Sequence, residues 1–264
     1  MYPFEYHLPL SQSEALTAYQ GDCRYLAGGQ SLVQAMKLRM SAAERLVDLR
    51  AVAGLDGMAC HEAGLTIGGM VRHADVAVSP LVRQHLPALA ELAGGIGDPM
   101  VRSMGTLGGS LANADPAACY PAAVLGLGAT VHTSTRSIPG DAFFTGLYAT
   151  ALQAGELITG VTFPLPERAA YVKFKQPASR FALVGVFVAQ GEQGVRVAVT
   201  GAKDCVFRAA ELEAALALHF EAGSARACTQ SAQGLLSDLH ASAAYRAAMI
   251  PVLAARAVDM ARAR

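Results

Sequence analysis

With 264 residues, 53% of them hydrophobic and 16% charged, the chain is long enough for one large domain or two to three small ones. Its 21 basic and 21 acidic side chains cancel, and no basic stripe with interleaved aromatics occurs, so no nucleic-acid partner is expected. No run approaches the roughly 18 uninterrupted apolar residues of a membrane span, and the first residues carry neither a basic n-region nor an apolar h-region, so a cytoplasmic protein with no membrane span is expected.

Five cysteines, Cys23, Cys60, Cys119, Cys205 and Cys228, are scattered without any Cys-x-x-Cys pair. Reduced thiols are expected, with no disulfide framework and no iron–sulfur cluster on this chain. His61-Glu62 and His73 with Asp75 lack a third partner at ligand spacing, so no metal site is assigned.

In chain order, residues 4–7 read as a short strand, followed by a helix opened by Ser11 or Ser13. Residues 23–27 are a strand candidate, residues 32–40 a helix and residues 45–49 a short strand. These elements make a small α/β unit. Residues 65–70 form a strand ending at Gly68-Gly69. Helices are expected over residues 73–78 and 80–93, ended by Gly94, Gly95 and Gly97. Arg102 and Ser103 lead into a Gly-rich turn. Residues 116–127 form an Ala-rich buried helix, 129–135 a strand, 141–144 the start of a short helix and 157–163 a strand. Pro164-Leu165-Pro166 is the best linker. Beyond it, residues 171–175, 182–189 and 195–200 read as a three-stranded antiparallel meander. Two amphipathic helices follow, at residues 209–220 and 242–262, the second kinked or restarted at Pro251. The expected domains are 1–166, divided at about residue 54 into 1–54 and 55–166, and 167–264.

Two Gly-rich stretches carry the chemistry. Leu26-Ala27-Gly28-Gly29-Gln30-Ser31-Leu32 joins a strand to a helix. Residues 105–116 contain Thr106, Leu107, Gly108, Gly109 and Ser110, then Asp115 as a helix N-cap with Pro116 at the first helical position. Small residues let backbone approach a ligand closely, and bare amides at a helix start attract anions. Two such turns suggest a ligand with two phosphates. The nearest thing to a nicotinamide-type motif, Gly126-Leu127-Gly128, has Val131 in place of the third glycine and precedes a strand, which argues against it.

The two stretches, with Gly155-Glu156-Leu157-Ile158, Phe163-Pro164, Phe174-Lys175-Gln176 and Ser179-Arg180, occur collinearly along nearly the whole chain. In this the sequence resembles the FAD-binding medium subunits of molybdenum hydroxylases, of the carbon monoxide dehydrogenase and xanthine dehydrogenase type. The resemblance implies an α+β protein: a two-subdomain FAD-binding fold of the vanillyl-alcohol-oxidase type, then a C-terminal three-stranded antiparallel sheet with helices. It implies that Leu26 to Leu32 and Thr106 to Ser110 wrap the FAD diphosphate and ribityl with backbone amides. It places Ile96 near the cofactor, Ile158 against the isoalloxazine and Lys175 at the flavin's polar edge, with Asp115 as a possible acceptor.

Two departures stand out. Ser110 stands where the family often has Asn, and Cys119 where it often has Asp, so either FAD is held less tightly or Asp115 supplies the missing acceptor. The resemblance further implies an electron-transfer subunit. Electrons would come from [2Fe-2S] clusters on a small iron–sulfur subunit, in a complex whose large subunit carries the molybdopterin cofactor, assembled as a dimer of heterotrimers. No catalytic residue is assigned to this chain, because no Ser-His-Asp, Cys-His or paired-carboxylate arrangement has convincing context. The alternatives are an assembly subunit with lost FAD binding and a stand-alone flavin oxidoreductase of the same fold.

Overall fold

The computed structural model describes residues 1–264. Its first unit contains β1 (Glu5–His7), α1 (Gln12–Ala18), β2 (Cys23–Leu26), α2 (Leu32–Lys37) and β3 (Arg45–Asp48). The strands form a parallel sheet in the order β1-β3-β2. Successive side chains of β3 point to opposite faces. Leu46 therefore joins Leu26, Met36 and Ala43 beneath α2, while Val47 joins Ala15 and Cys23 on the side of α1. The Ser11 hydroxyl accepts the amide hydrogen bond of Glu14, so Ser11 rather than Ser13 caps α1. Helix α2 stops at Lys37, earlier than the sequence pattern suggests, because Arg39 takes a left-handed conformation (φ 59°) that no helix continues through.

The second unit is built on an antiparallel five-stranded sheet, β4-β5-β10-β6-β7, comprising β4 (Met58–His61), β5 (Gly64–Gly68), β6 (Thr130–Thr133), β7 (Ser137–Pro139) and β10 (Ile158–Phe163). A two-stranded hairpin, β8 (Phe144–Gly146) and β9 (Ala149–Thr150), follows the short helix α9 (Gly140–Phe143). Between β5 and β6 lie α3 (His73–Val78), α4 (Pro80–His85), α5 (Pro87–Gly94), α6 (Pro99–Met104), α7 (Leu107–Asn113) and α8 (Tyr120–Leu127). The single helix expected over residues 80–93 is two, because Leu86 (φ −146°, ψ 63°) leaves the helical region before Pro87. Helix α6 was not anticipated. Asp98 caps it by accepting from Val101, with Pro99 at its first position, so an ordinary start signal was present. Every residue of α8 is buried, as its all-apolar composition requires.

The C-terminal unit carries β11 (Arg168–Lys175), β12 (Ala182–Gly191), β13 (Gly194–Thr200) and β14 (Phe207–Arg208), then α10 (Ala210–Leu218), α11 (Ala222–Ala227) and α12 (Ala243–Arg262). The sheet is antiparallel and four-stranded rather than three-stranded. The added strand is two residues long, too short for an alternation to be read. Its two faces divide the core. Val184, Val186, Val188, Val197 and Val199 pack against α10–α12, while Tyr171, Phe187, Ala189 and Ala198 join the core around α8. Gly126 is what lets α8 lie this close, since a Cβ there would meet the Phe187 ring at 2.7 Å. Helix α12 passes through Pro251 without interruption, with Ser242 as its cap.

Glu156, between the hairpin and β10, is a saturated carboxylate. It accepts from Arg136 Nε (2.9 Å), Thr133 Oγ1 (2.7 Å), Thr135 Oγ1 (3.0 Å) and the Gln153 amide (2.8 Å). Arg136 above all, outweighing burial, brings its pKa from the ordinary 4.5 down to about 2. A depressed carboxylate stabilises the fold above its unfolded pKa, and that contribution is lost as pH falls through the folded value. The melting temperature is therefore expected to drop between about pH 4.5 and about pH 2, and Glu156→Gln to lower it at neutral pH while flattening that drop.

Candidate functional site

The two Gly-rich stretches lie against each other. A Cβ on Gly28 would meet the Met104 carbonyl oxygen at 1.9 Å and the Gly105 Cα at 2.9 Å, and one on Gly109 would meet Ala27 Cβ at 3.4 Å. The β2–α2 loop thus runs over the α6–α7 junction with no room for a side chain at Gly28. Gly29 (φ 72°) turns the chain into α2. The amides of Gly28, Gly29, Gln30, Ser31 and Leu32 have no acceptor within the chain, and Ser31 makes no side-chain cap to α2. Five adjacent N–H groups without an acceptor, at a strand–helix turn, make a cradle for an anion.

The second stretch is built differently from expectation. Residues 107–113 are themselves helix α7, capped by Thr106, whose Oγ1 accepts from the Gly109 amide (3.2 Å). The Leu107 amide bonds to Val71 O (2.9 Å), the Gly108 amide to Gly69 O (2.8 Å) and the Ser110 amide to Thr106 O (3.0 Å). No bare amide is left between 107 and 110. Glycine at 108 serves packing instead: a Cβ there would lie 2.7 Å from Gly69 O. Gly69 in turn abuts the Ile158 carbonyl, which would stand 2.5 Å from a Cβ on Gly69. Ile158 is thereby brought beneath the α7 start, buried in the core.

Asp115 does not cap a helix. Its Oδ1 accepts from Ala117 N (2.8 Å) in a local turn, its Oδ2 accepts from Tyr148 Oη (3.2 Å), and α8 starts only at Tyr120. The short side chain satisfies the nearest amide before any helix begins. Ile96 is half-buried against the core, and its carbonyl accepts from Arg102 Nη1 (3.0 Å). Arg102 and Arg180 both also donate to Gly97 O. Lys175 is exposed and makes no hydrogen bond or ion pair. Lys173 is the lysine that is held: its Nζ donates to Gly95 O and Arg180 O (both 2.8 Å). Nothing in the alternation distinguishes Lys173 from Lys175, because both lie at odd positions of one strand.

Sequence reasoning weighed His73 only as a metal ligand and did not place it at the Gly-rich turn. It opens α3 under the α6–α7 junction, its amide donating to Gly105 O (2.9 Å). Its Nε2 would lie 2.6 Å from a Cβ on Gly105, so that position too accepts only glycine. Its buried Nδ1 has no partner, and its ring faces Tyr120 at 5.3 Å. Burial, then the Arg102 charge, pushes its pKa from 6.5 down to about 4. The folded protein therefore holds a neutral imidazole, while the unfolded chain takes up a proton below pH 6.5. Stability is expected to fall as pH drops from 6.5 towards about 4, and His73→Phe to flatten that part of a thermal-melt profile. A cleft of about 560 Å³ lies elsewhere: Ala74, Arg83, Ala90, Pro99 and Arg102 line it, and neither Gly-rich stretch does.

A family model described as the FAD binding domain in molybdopterin dehydrogenase matches residues 2–166. The chain belongs to that family. It is 33% identical to the carbon monoxide dehydrogenase medium chain of Hydrogenophaga pseudoflava, covering 99% of this chain and 98% of that one. It is 34% identical to the nicotine 6-hydroxylase medium subunit of Paenarthrobacter nicotinovorans, covering 98% and 97%. A chain in the crystal structure of quinoline 2-oxidoreductase from Pseudomonas putida 86 superposes with a TM-score of 0.89 at 29% identity, covering 98% and 97%. As a member of this FAD-binding family, the chain places its two Gly-rich stretches, Gly69 and Ile158 inside the matched region.

The cradle fits such a cofactor in two respects. The free amides of Gly28–Leu32 supply hydrogen-bond donors suited to a diphosphate, and the side-chain-free Gly28 lets the backbone close on its neighbour. No helix of the chain is long and apolar enough to cross a membrane.

Proposed function

We propose that this chain is the FAD-binding, electron-transfer subunit of a molybdenum hydroxylase. It would take electrons from the [2Fe-2S] clusters of a small subunit, in a complex whose large subunit carries the molybdenum cofactor, and pass them to an external acceptor. The observation that carries this reading is the run of unpaired amides at Gly28–Leu32, pressed against the α6–α7 junction in a chain of this family. FAD supplies the step by accepting electrons and releasing them one or two at a time.

The chain's own residues divide the work. Gly28, Gly29, Gln30, Ser31 and Leu32 hold the diphosphate by backbone donors, with Leu26 and Ala27 anchoring the turn. Thr106, Leu107, Gly108, Gly109 and Ser110 form the facing wall. Their amides are already bonded within the protein, so they act through shape and through the Ser110 hydroxyl. Ile158 and Ile96 lie at the ring, Asp115 offers carboxylate oxygens to a ribityl hydroxyl, and exposed Lys175 places a cation at the polar edge. The finer assignments belong to the same proposal: a vanillyl-alcohol-oxidase-type domain over 1–166, a C-terminal domain over 167–264, a dimer of heterotrimers and a cytoplasmic location.

The purified chain is expected to show the visible absorption of bound flavin, and acid is expected to release it as FAD. A colourless protein that takes up no FAD, both alone and within the assembled complex, overturns the reading.

A further inference from the structure

Cys119, Tyr171 and Lys173 meet where α8 begins beneath β11. Cys119 is 5% exposed, and its sulfur receives a hydrogen bond from Lys173 Nζ at 3.4 Å. Lys173 is fixed there by the Gly95 and Arg180 carbonyls. No other cysteine of the chain receives a hydrogen bond from a lysine; the Cys228 thiol, for example, donates to backbone carbonyls. Tyr171, 8% exposed, turns its hydroxyl towards the same sulfur, yet that hydroxyl has no hydrogen-bond partner. A buried, unpaired O–H is costly, and this one neighbours the Cys119 sulfur.

We propose that Lys173 and Cys119 are the site of a reversible oxygen-bridged crosslink, Nζ–O–Sγ, formed by dioxygen. The Lys173 ammonium first gives one proton to solvent. The amine and the thiol then each lose one hydrogen. One oxygen atom of O2 forms bonds to both nitrogen and sulfur, and the other leaves as water carrying those two hydrogens. Nitrogen and sulfur each give up two electrons, and dioxygen takes all four as its O–O bond breaks. The inserted oxygen supplies the acceptor that the Tyr171 hydroxyl lacks. Two equivalents of a dithiol reductant, each giving two electrons and two protons as it closes to a disulfide, return amine, thiol and one water. The crosslink ties the α8 start, in the matched FAD-binding region, to β11 of the C-terminal sheet, so oxidation would lock the two against each other. The site adjoins the proposed FAD contacts, since Lys173 is held at Gly95 O beside Ile96, but the crosslink does not require a bound cofactor.

The test is peptide mapping of the full-length wild-type chain, held in air-saturated buffer or under argon, then denatured and alkylated. The air sample is expected to give a linked pair of peptides containing Cys119 and Lys173. Their mass would exceed the sum of the two peptides by one oxygen less two hydrogens, and the species would disappear after dithiol treatment. Lys173→Arg, which keeps the charge and the donors to Gly95 and Arg180, is expected to abolish it. Recovery of Cys119 in the air sample wholly as alkylated thiol, or only as its own sulfenic or sulfinic acid without a partner peptide, overturns the proposal.

Discussion

Gly28→Val is expected to reduce FAD affinity by roughly 5- to 150-fold, the equivalent of an overpacking cost of ~1–3 kcal/mol. The reason is local. A Cβ at Gly28 would stand 1.9 Å from the Met104 carbonyl oxygen, and that atom is backbone, so no rotamer change relieves the clash. The loop must lift, and the amides of Gly28–Leu32 lift with it. Gly57→Ala provides the comparison, because nothing lies within 4 Å of a Cβ there and its backbone is not left-handed. Equilibrium titration of apoprotein with FAD, followed by flavin fluorescence, checks both variants. Unchanged affinity in Gly28→Val would mean that the β2–α2 turn does not hold the cofactor. Thermal melts of both variants separate this from general unfolding.

Arg246→Met is expected to cost the fold more than any surface substitution. Arg246 lies in the middle of the C-terminal core, 2% exposed, within the otherwise Ala-rich α12. Its Nη1 donates to the Leu183 and Gly201 carbonyls and its Nη2 to Asp238 Oδ2 (2.7 Å). Met fills much of the volume but supplies no donor. The two carbonyls lose their partner at about 1–3 kcal/mol each, whereas Asp238, 43% exposed, regains water. A fall in melting temperature on the order of 10 °C follows for a chain of this size. Asp238→Asn should cost much less, because it leaves both carbonyl bonds in place. Differential scanning calorimetry of the two variants decides between them, and equal losses would mean that the ion pair, not the carbonyls, carries the stability.

Much of the fold was legible in the sequence because its signals are local. The continuous apolar run of β12, the period-two alternation of β13, the Ser242 start of α12 and the uninterrupted apolar run of α8 each specify an element from a few neighbouring residues. The elements that escaped were short or broken by a single dihedral. They are β4, α6, α7, β7, the β8–β9 hairpin, α11, the two residues of β14 and the break at Leu86 between α4 and α5. In such segments the tertiary contacts outweigh weak propensity.

The site divides in the same way. The sequence by itself determined the family, through Gly-rich motifs whose spacing survives along the chain, and it singled out both stretches from their lack of side chains. Only the tertiary structure decided that those stretches touch, and that they are unlike each other. One keeps its amides free, while the other has spent them on Gly69, Val71 and its own Thr106 cap. Whether an N–H is free depends on which distant carbonyl the fold brings to it, and no local pattern records that. The same holds for His73 under Gly105, for Arg246 in the second core and for Lys173 rather than Lys175 reaching Cys119. In each case the residue type was visible in the sequence, and its partner, many positions away, was set by packing alone.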